Sequence, residues 1–282
     1  MKILITGGKG ALGQDAQKIF SAHGHDVLAL DREGLDITNE AQVKELVTLE
    51  HPDVIVNCAA YNLVDKAEDP AVYPTAYAIN ALGPEYLARA AKLVGAVFVH
   101  VSTDAVFAGD KPEGYVETDA RAPICKYGES KAAGEELIEA VQGKYYIART
   151  TRLFGAPATS ADAKESFISI MMRLAATKPE IQIIDEEIGR PTYTPDLARG
   201  IYDLVVGAYP FGIYHLVNDG PGVTWYAFAE EAFAIKPTTT PRIPVPAAVF
   251  PKPAARGKFV VLQNTKFPPL RSRVEALREF LS

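Results

Sequence analysis

Apolar positions in the first half of the chain fall in short dense runs, separated by stretches with helical spacing. Lys2 to Thr6 is one such run, and Ala11 to Ala22 follows with Leu12, Ala16, Ile19 and Phe20 at helical intervals. The alternation continues with apolar runs at Asp26 to Leu30, Asp53 to Asn57, Ala96 to Ser102 and Lys144 to Ala148. Thr75 to Val94 reads as a helix with Ile79, Leu82, Tyr86, Leu87 and Ala90 along one side, and Tyr127 to Val141 as another. Strands apolar on both faces, alternating with helices, predict an α/β fold with a doubly wound, Rossmann-type parallel sheet.

Beyond about residue 150 the pattern loosens. Residues 156–163 form a small-residue loop, Ser166 to Ala176 a helix, and Ile181 to Ile184 a strand. Thr194 and Pro195 supply an N-cap and a first-turn proline for a helix towards Val206. Ile213 to Val217 is a strand, and Thr224 caps a helix through Ala234. Lys236 to Pro269 holds eight of the twenty prolines and reads as extended, turn-rich packing around a cleft. The expected division is a Rossmann domain over 1–150 and a smaller, mainly substrate-binding region over 151–282, with some segments returning to the first domain.

Composition narrows the function. A formal charge of −6 over 282 residues argues against a bulk electrostatic grip on nucleic acid or an anionic membrane. No apolar stretch approaches the ~18 residues that span a bilayer. Met1 runs at once into the first strand and a glycine loop, leaving no room for a leader, and Cys58 and Cys125 suggest neither a disulfide framework nor a zinc site. The expected address is a reducing cytoplasm. No histidine has metal-ligand spacing, so His23, His25, His51, His100 and His215 are all read as structural.

Candidate chemistry begins where the first strand meets the first helix. Gly7, Gly10 and Gly13, with Ala11 and Leu12 between them, match a dinucleotide loop in which glycines turn the chain and let the backbone approach a pyrophosphate. The helix N-terminus adds free N–H groups and a partial positive charge. Asp31, ending the second strand, can accept from a ribose 2′-OH, whereas Arg32 can hold a 2′-phosphate. The two signals oppose each other, so the cofactor is NADH or NADPH. Asp36 and Ile37 could lie along the adenine. Tyr127 and Lys131 stand four residues apart on one helix face, where an ammonium and a nicotinamide would tune the phenol for proton exchange. Ser102, Thr103 and Asp104 end the fourth strand, where open sheets bind ligands and a hydroxyl can reach the reacting oxygen. Trp225 and Tyr226 read as core or cleft wall.

These residues, in this order, resemble the extended short-chain dehydrogenase/reductase superfamily, and within it the dTDP-4-dehydrorhamnose reductase family. The resemblance rests on Asn57 to Tyr61 with Val64 to Glu68, on Ser102 to Asp104 with Val106-Phe107, and on Tyr115 to Glu117. It continues through Tyr127 to Lys131 with Gly134-Glu135, then Gly189 to Thr194 and Gly212 to His215. It implies a reductase moving hydride from NAD(P)H to C4 of a nucleotide-linked 4-keto-6-deoxy sugar, with Thr103, Tyr127 and Lys131 as the catalytic triad and Tyr127 the proton donor. Ala59, Ala60, Tyr61 and Ser102 would join the glycine loop, Asp31, Asp36 and Ile37 along the dinucleotide, and Thr103 and Asp104 would touch the sugar. Some family members dimerise with magnesium, which extends a homodimer and that ion to this chain by resemblance only.

Departures from the family fall on the substrate side. Its Arg-Thr-Ser-Trp is Arg149-Thr150-Thr151-Arg152 here, which exchanges an apolar ring for a charged fork suited to phosphate or carboxylate. Its tyrosine after Thr-Asp is Ala105, its aspartate before the loop glycine is Ala108, and its Arg-Pro-x-Asn-Ser is Arg256-Gly257-Lys258-Phe259-Val260. Arg152 is therefore a candidate substrate contact, against solvent exposure or an acidic partner as the plain alternative. Ala105 cannot act as the acid of a sugar-nucleotide 4,6-dehydratase. A cofactor-binding regulatory subunit, resembling the β subunit of methionine adenosyltransferase, is the alternative outside enzymology.

Overall fold

The computed structural model describes residues 1–159 and 165–282, so the expected loop over 156–163 lies outside the described residues from position 160. In chain order the first part holds β1 (Lys2–Thr6), α1 (Ala11–Ala22), β2 (Asp26–Leu30), α2 (Glu40–Glu50), β3 (Val54–Asn57), α3 (Tyr73–Tyr77), α4 (Gly83–Val94), β4 (Val97–Thr103), α5 (Lys126–Val141) and β5 (Lys144–Thr150). The second part holds β6 (Leu153–Phe154), α6 (Phe167–Thr177), β7 (Ile181–Ile184), β8 (Thr192–Tyr193), α7 (Thr194–Val206), β9 (Gly212–His215), β10 (Asn218–Asp219), α8 (Trp225–Ile235), β11 (Arg242–Val245), β12 (Leu270–Ser272) and α9 (Arg273–Leu281).

Six strands form one parallel sheet in the order β2-β1-β3-β4-β5-β9. Alternate side chains leave it on opposite faces, which is why the strand sequences carry apolar residues at nearly every position. Ile3, Ile5, Val54 and Val56 pack with Phe20 of α1 and Leu197 and Ile201 of α7, while Leu4 and Ile55 pack with Val43, Leu87 and Ile138 of α2, α4 and α5. Burying one such aliphatic side chain contributes ~1.5–3 kcal/mol, so both helical layers are firmly tied to the sheet. The sixth strand, β9, comes from the second half of the chain and pairs with β5. Smaller clusters built from Phe154, Ile168, Tyr193, Phe228 and Leu277 carry the remainder of that half.

Three local readings differ from the sequence-based expectation. The helix over 75–94 starts at Tyr73 and is broken by a π-helical turn at Ala78–Leu82. That turn carries Asn80, whose side chain bonds the backbone of Tyr61 in both directions and also donates to Ser130 Oγ. Thr194 is the first helical residue rather than the cap, and its hydroxyl donates to buried Asp15 of α1 at 2.7 Å, a tertiary bond that replaces capping. The proline-rich stretch is not featureless, because β11 pairs with β7 over four residues.

Candidate active site

The strand order reverses between β1 and β3, and at such a switch point the carboxyl ends of the strands open a crevice. The predicted cofactor residues converge there. Gly7 sits at φ 69°, and a Cβ on it would come within 2.8 Å of the Ala59 backbone, so the loop after β1 and the segment after β3 can touch only through glycine. Gly10 is the N-cap of α1 without a side-chain cap bond, Gly13 lies buried one turn on, and Ala11 and Leu12 fill the first turn between them. An uncapped helix start beside a glycine turn suits a dinucleotide pyrophosphate. Asp31 follows β2 and accepts weakly from the Lys9 backbone N–H at 3.4 Å. Arg32 is largely exposed and reaches Asp36 at 3.7 Å. Asp36 accepts from the Thr38 hydroxyl and N–H, which hold its carboxyl below the usual range despite some burial. Ile37 is buried against Gly83. Ala59 donates its N–H to Asn57 Oδ1, and Tyr61 donates its own to Asn80 Oδ1, fixing the Ala59–Tyr61 segment at the mouth of the crevice.

The predicted reacting groups lie at and beside the end of β4. Ser102 is buried just before Thr103, whose hydroxyl donates to Asp104 and lies beside the Tyr127 phenol. Gly128 allows this, because a Cβ there would lie 2.2 Å from the Ala105 carbonyl oxygen and push α5 off the strand end. Burial pushes the Tyr127 phenol above its ordinary value; the Thr103 hydroxyl works against that, and Asp104 and Cys125 reinforce it. Asp104 accepts from Thr103 Oγ1 at 2.9 Å and from Thr151 Oγ1, and burial raises its carboxyl in spite of both bonds and the nearby Arg152. Lys131 lies on α5 as the i, i+4 spacing requires, but its amine is drawn inward. Nζ donates to the Val101 carbonyl at 2.8 Å and lies 3.0 Å from His100 Nε2. The groups acting on the phenol are thus Thr103, Asp104 and Cys125 rather than the lysine.

Arg152 matches neither solvent exposure nor an acidic pair. Its backbone has φ 48°, in the left-handed region that costs a non-glycine residue about 1 kcal/mol or more. Its guanidinium is buried, donating from Nη1 to the Val223 carbonyl at 3.0 Å and from Nη2 to the Glu187 carbonyl at 2.9 Å, and stacking 4.1 Å over the Trp225 ring. Burial lowers it to about 10, with Asp104 and Glu187 opposing the shift. The fork thus shapes the wall opposite Asp104 and Tyr127. Trp225, read as core or cleft wall, packs against a hydrophobic cluster under the Arg152 guanidinium, and its indole N–H donates to Glu187 at 2.8 Å. Nearby, Glu187, Phe250, Lys252, Arg256 and Lys258 line a cleft of ≈ 360 Å³. The altered segment at Arg256 to Val260 still docks. Phe259 donates its N–H to the Gly109 carbonyl, and Arg256 pairs with Asp65 at 2.9 Å.

Sequence reading missed several residues that hold the site. Glu135 is fully buried on α5 and accepts from Arg149 of β5 and from Arg121. Asn57 and His100 stand in direct line behind Lys131. A charged residue on the inner face of a helix, and a polar residue inside an apolar strand, were the available signals. Among the described residues no three His, Cys, Asp or Glu side chains converge on an ion site, so the magnesium suggested by resemblance finds no ready-made donor set. No helix among them is long and apolar enough to cross a membrane.

The profile of the RmlD substrate binding domain family matches residues 1–280. A dTDP-4-dehydrorhamnose reductase of Streptomyces griseus is 38% identical over 98% of this chain and 91% of its own length. The crystal structure of a dTDP-4-dehydrorhamnose reductase from Bacillus anthracis in complex with NADP superposes with a TM-score of 0.92 at 37% identity, covering 99% of this chain and 98% of that one. A Clostridium acetobutylicum dTDP-4-dehydrorhamnose reductase gives 0.93 at 37% identity, over 100% of this chain and 98% of its own. The chain belongs to the RmlD substrate binding domain family, the family of the dTDP-4-dehydrorhamnose reductases it matches.

Proposed function

We propose that this chain is an NAD(P)H-dependent reductase of dTDP-4-dehydrorhamnose, or of a close nucleotide-linked 4-keto-6-deoxy sugar. The observation that carries the reading is the juxtaposition of Thr103 and Tyr127 at the carboxyl end of β4, with Lys131 one turn further on α5 and the uncapped start of α1 across the switch point. A bound nicotinamide cofactor supplies the hydride. Gly7, Gly10, Ala11, Leu12 and Gly13 would cradle its pyrophosphate, Asp31 and Arg32 its adenosine ribose, and Asp36, Ile37 and Ala59 to Tyr61 the rest of its length. Tyr127 holds its proton well above neutral pH, the state required of a donor to a developing alkoxide, and the Thr103 hydroxyl would bond the same substrate oxygen. Lys131 would meet ribose hydroxyls after leaving the Val101 carbonyl.

On the substrate side, Thr103, Asp104 and Arg152 would surround the sugar. Asp104 is positioned to accept from a sugar hydroxyl, because burial and its bonds to Thr103 and Thr151 fix its orientation. Arg152, locked against Trp225, presents a cationic edge where the family has an apolar ring. The basic side of the neighbouring cleft, Lys252, Arg256 and Lys258, suits a nucleoside diphosphate. A nucleotide-linked substrate and two free thiols agree with a cytoplasmic address. Purified protein should oxidise NADH or NADPH only when a dTDP-linked 4-keto-6-deoxy sugar is added. Folded protein that binds cofactor but turns over no member of a panel of such sugars would overturn the assignment.

A further inference from the structure

We propose that His100, oriented by Asn57, is a positioning residue that disfavours the ammonium form of Lys131 and so lowers the pH at which the amine becomes neutral. The argument starts from the only group in the line whose direction is fixed, the Ala59 backbone N–H. It can only donate, and it points at Asn57 Oδ1 at 3.1 Å, where the Thr6 hydroxyl also donates at 2.6 Å. The amide nitrogen of Asn57 must then face the other way, and it lies 3.0 Å from His100 Nδ1. An amide nitrogen has no acceptor capacity, so Nδ1 is unprotonated and receives that bond. Burial keeps the imidazole neutral, and its one proton is left on Nε2. Nε2–H faces Lys131 Nζ at 3.0 Å. An ammonium has no lone pair to accept it; an amine does, and still donates to the Val101 carbonyl at 2.8 Å.

The surroundings are compatible with an uncharged amine. Asn57, His100 and Lys131 are essentially inaccessible to solvent. Besides His100 and the Val101 carbonyl from β4, the groups acting on the amine are Cys58 from the segment after β3 and Glu135 from α5. Burial holds the Cys58 thiol protonated, at about 12. The Glu135 carboxylate is already paired with both Arg149 and Arg121, which leaves it little to offer a third cation. Burial lowers Lys131 to about 8, against the pull of Glu135 and Cys58. The consequence bears on the reaction proposed above. With the ammonium disfavoured and the phenol raised by burial, Tyr127 keeps its proton.

The inference rests on the reading of Lys131 as part of the active site, but its measurements use the cofactor-free chain and no sugar. Heteronuclear NMR of protein labelled with ¹⁵N-histidine, with His100 assigned through His100→Gln, should show Nδ1 bare and Nε2 protonated. An Nδ1–H tautomer or an imidazolium would overturn the proposal without any variant having to be active. In protein labelled with ¹³C-lysine, the Lys131 Cε resonance should titrate with a midpoint at or below about 8. A midpoint near 10.5, the ordinary lysine value, would overturn it as well. Asn57→Asp replaces the donor with an acceptor, so the ring should flip to Nδ1–H and the lysine midpoint should rise by about one unit or more. An unchanged tautomer in that variant would contradict the role given to Asn57. Absence of sugar reduction beside the expected tautomer would count against the proposed function alone.

Discussion

Arg152→Ala separates the wall of the sugar site from the chemistry within it. The substitution removes two charge-assisted hydrogen bonds, at 3.0 and 2.9 Å, and a stacking contact at 4.1 Å. It leaves the Val223 and Glu187 carbonyls without those donors in a buried place. Each lost charge-assisted bond is worth about 1.5–3 kcal/mol and the stack about 1–2 kcal/mol. Recovered desolvation of the guanidinium and relief of the left-handed backbone at φ 48° offset part of this. A net loss of about 2–4 kcal/mol follows, a drop in Tm on the order of 4–8 °C for a chain of this size. Asp104 would also lose its nearest cation and hold its proton more firmly. Differential scanning calorimetry, followed by kcat/KM on the sugar at temperatures below the new transition, measures both effects. Arg152→Met keeps the volume without the donors and should fall between Ala and the parent. An unchanged Tm in Arg152→Ala would show that the guanidinium does not make these contacts in solution.

Other predictions follow from single groups. Tyr127→Phe removes only the proton-donating oxygen, so cofactor affinity should hold within about twofold while kcat falls by roughly 10²-fold or more; near-parent turnover would place the proton donor elsewhere. Asp31→Ala should weaken NADH more than NADPH and Arg32→Ala should do the reverse, read as the ratio of two titrated Kd values; an unaltered ratio in both would remove these side chains from the ribose. Glu135→Gln leaves buried Arg149 without its counter-charge and Arg121 with Glu139 alone, at a cost of about 3–5 kcal/mol in a denaturant titration. Burial raises the Glu135 carboxyl, but Arg149 and Arg121 outweigh it and hold it below its ordinary 4.5. Its contribution is thus complete above about pH 4.5 and lost as pH falls through the lower folded value. The parent should therefore lose stability more steeply than Glu135→Gln in that acid range, and parallel acid profiles would contradict the pairing.

Legibility in the sequence followed the strength of the local signal. The strands of the sheet were readable because both of their faces are buried, which writes continuous apolar runs such as Ile3-Leu4-Ile5 and Val54-Ile55-Val56. The glycine loop and the Tyr127–Lys131 spacing were readable because steric and chemical demands leave little choice of residue. α2 escaped because it buries only Val43 and Val47, too sparse a stripe to stand out, and α9 because its charged capping box dominates its composition. Thr194 looked like a cap, yet a buried aspartate from a distant helix took its hydroxyl. Asn57 was visible as the first residue of a family motif and His100 as a polar residue inside an apolar strand, but neither signal says what the side chain touches. Their place behind Lys131 depends on the register of β3 against β4, where Asn57 pairs with His100. Arg152 was visible as a departure, but its carbonyl partners lie 35 and 71 residues further along the chain and could not be read from spacing.

The central claim is that this chain delivers hydride to C4 of a nucleotide-linked 4-keto sugar while Tyr127 protonates the oxygen. It is tested most directly by turnover of dTDP-4-dehydrorhamnose with NAD(P)H deuterated at the transferable position, followed by NMR of the product. The account predicts one deuteron on C4 of the reduced sugar, formed in step with cofactor oxidation and suppressed in Tyr127→Phe. Deuterium at another carbon, or cofactor bound with no labelled sugar formed, would contradict it.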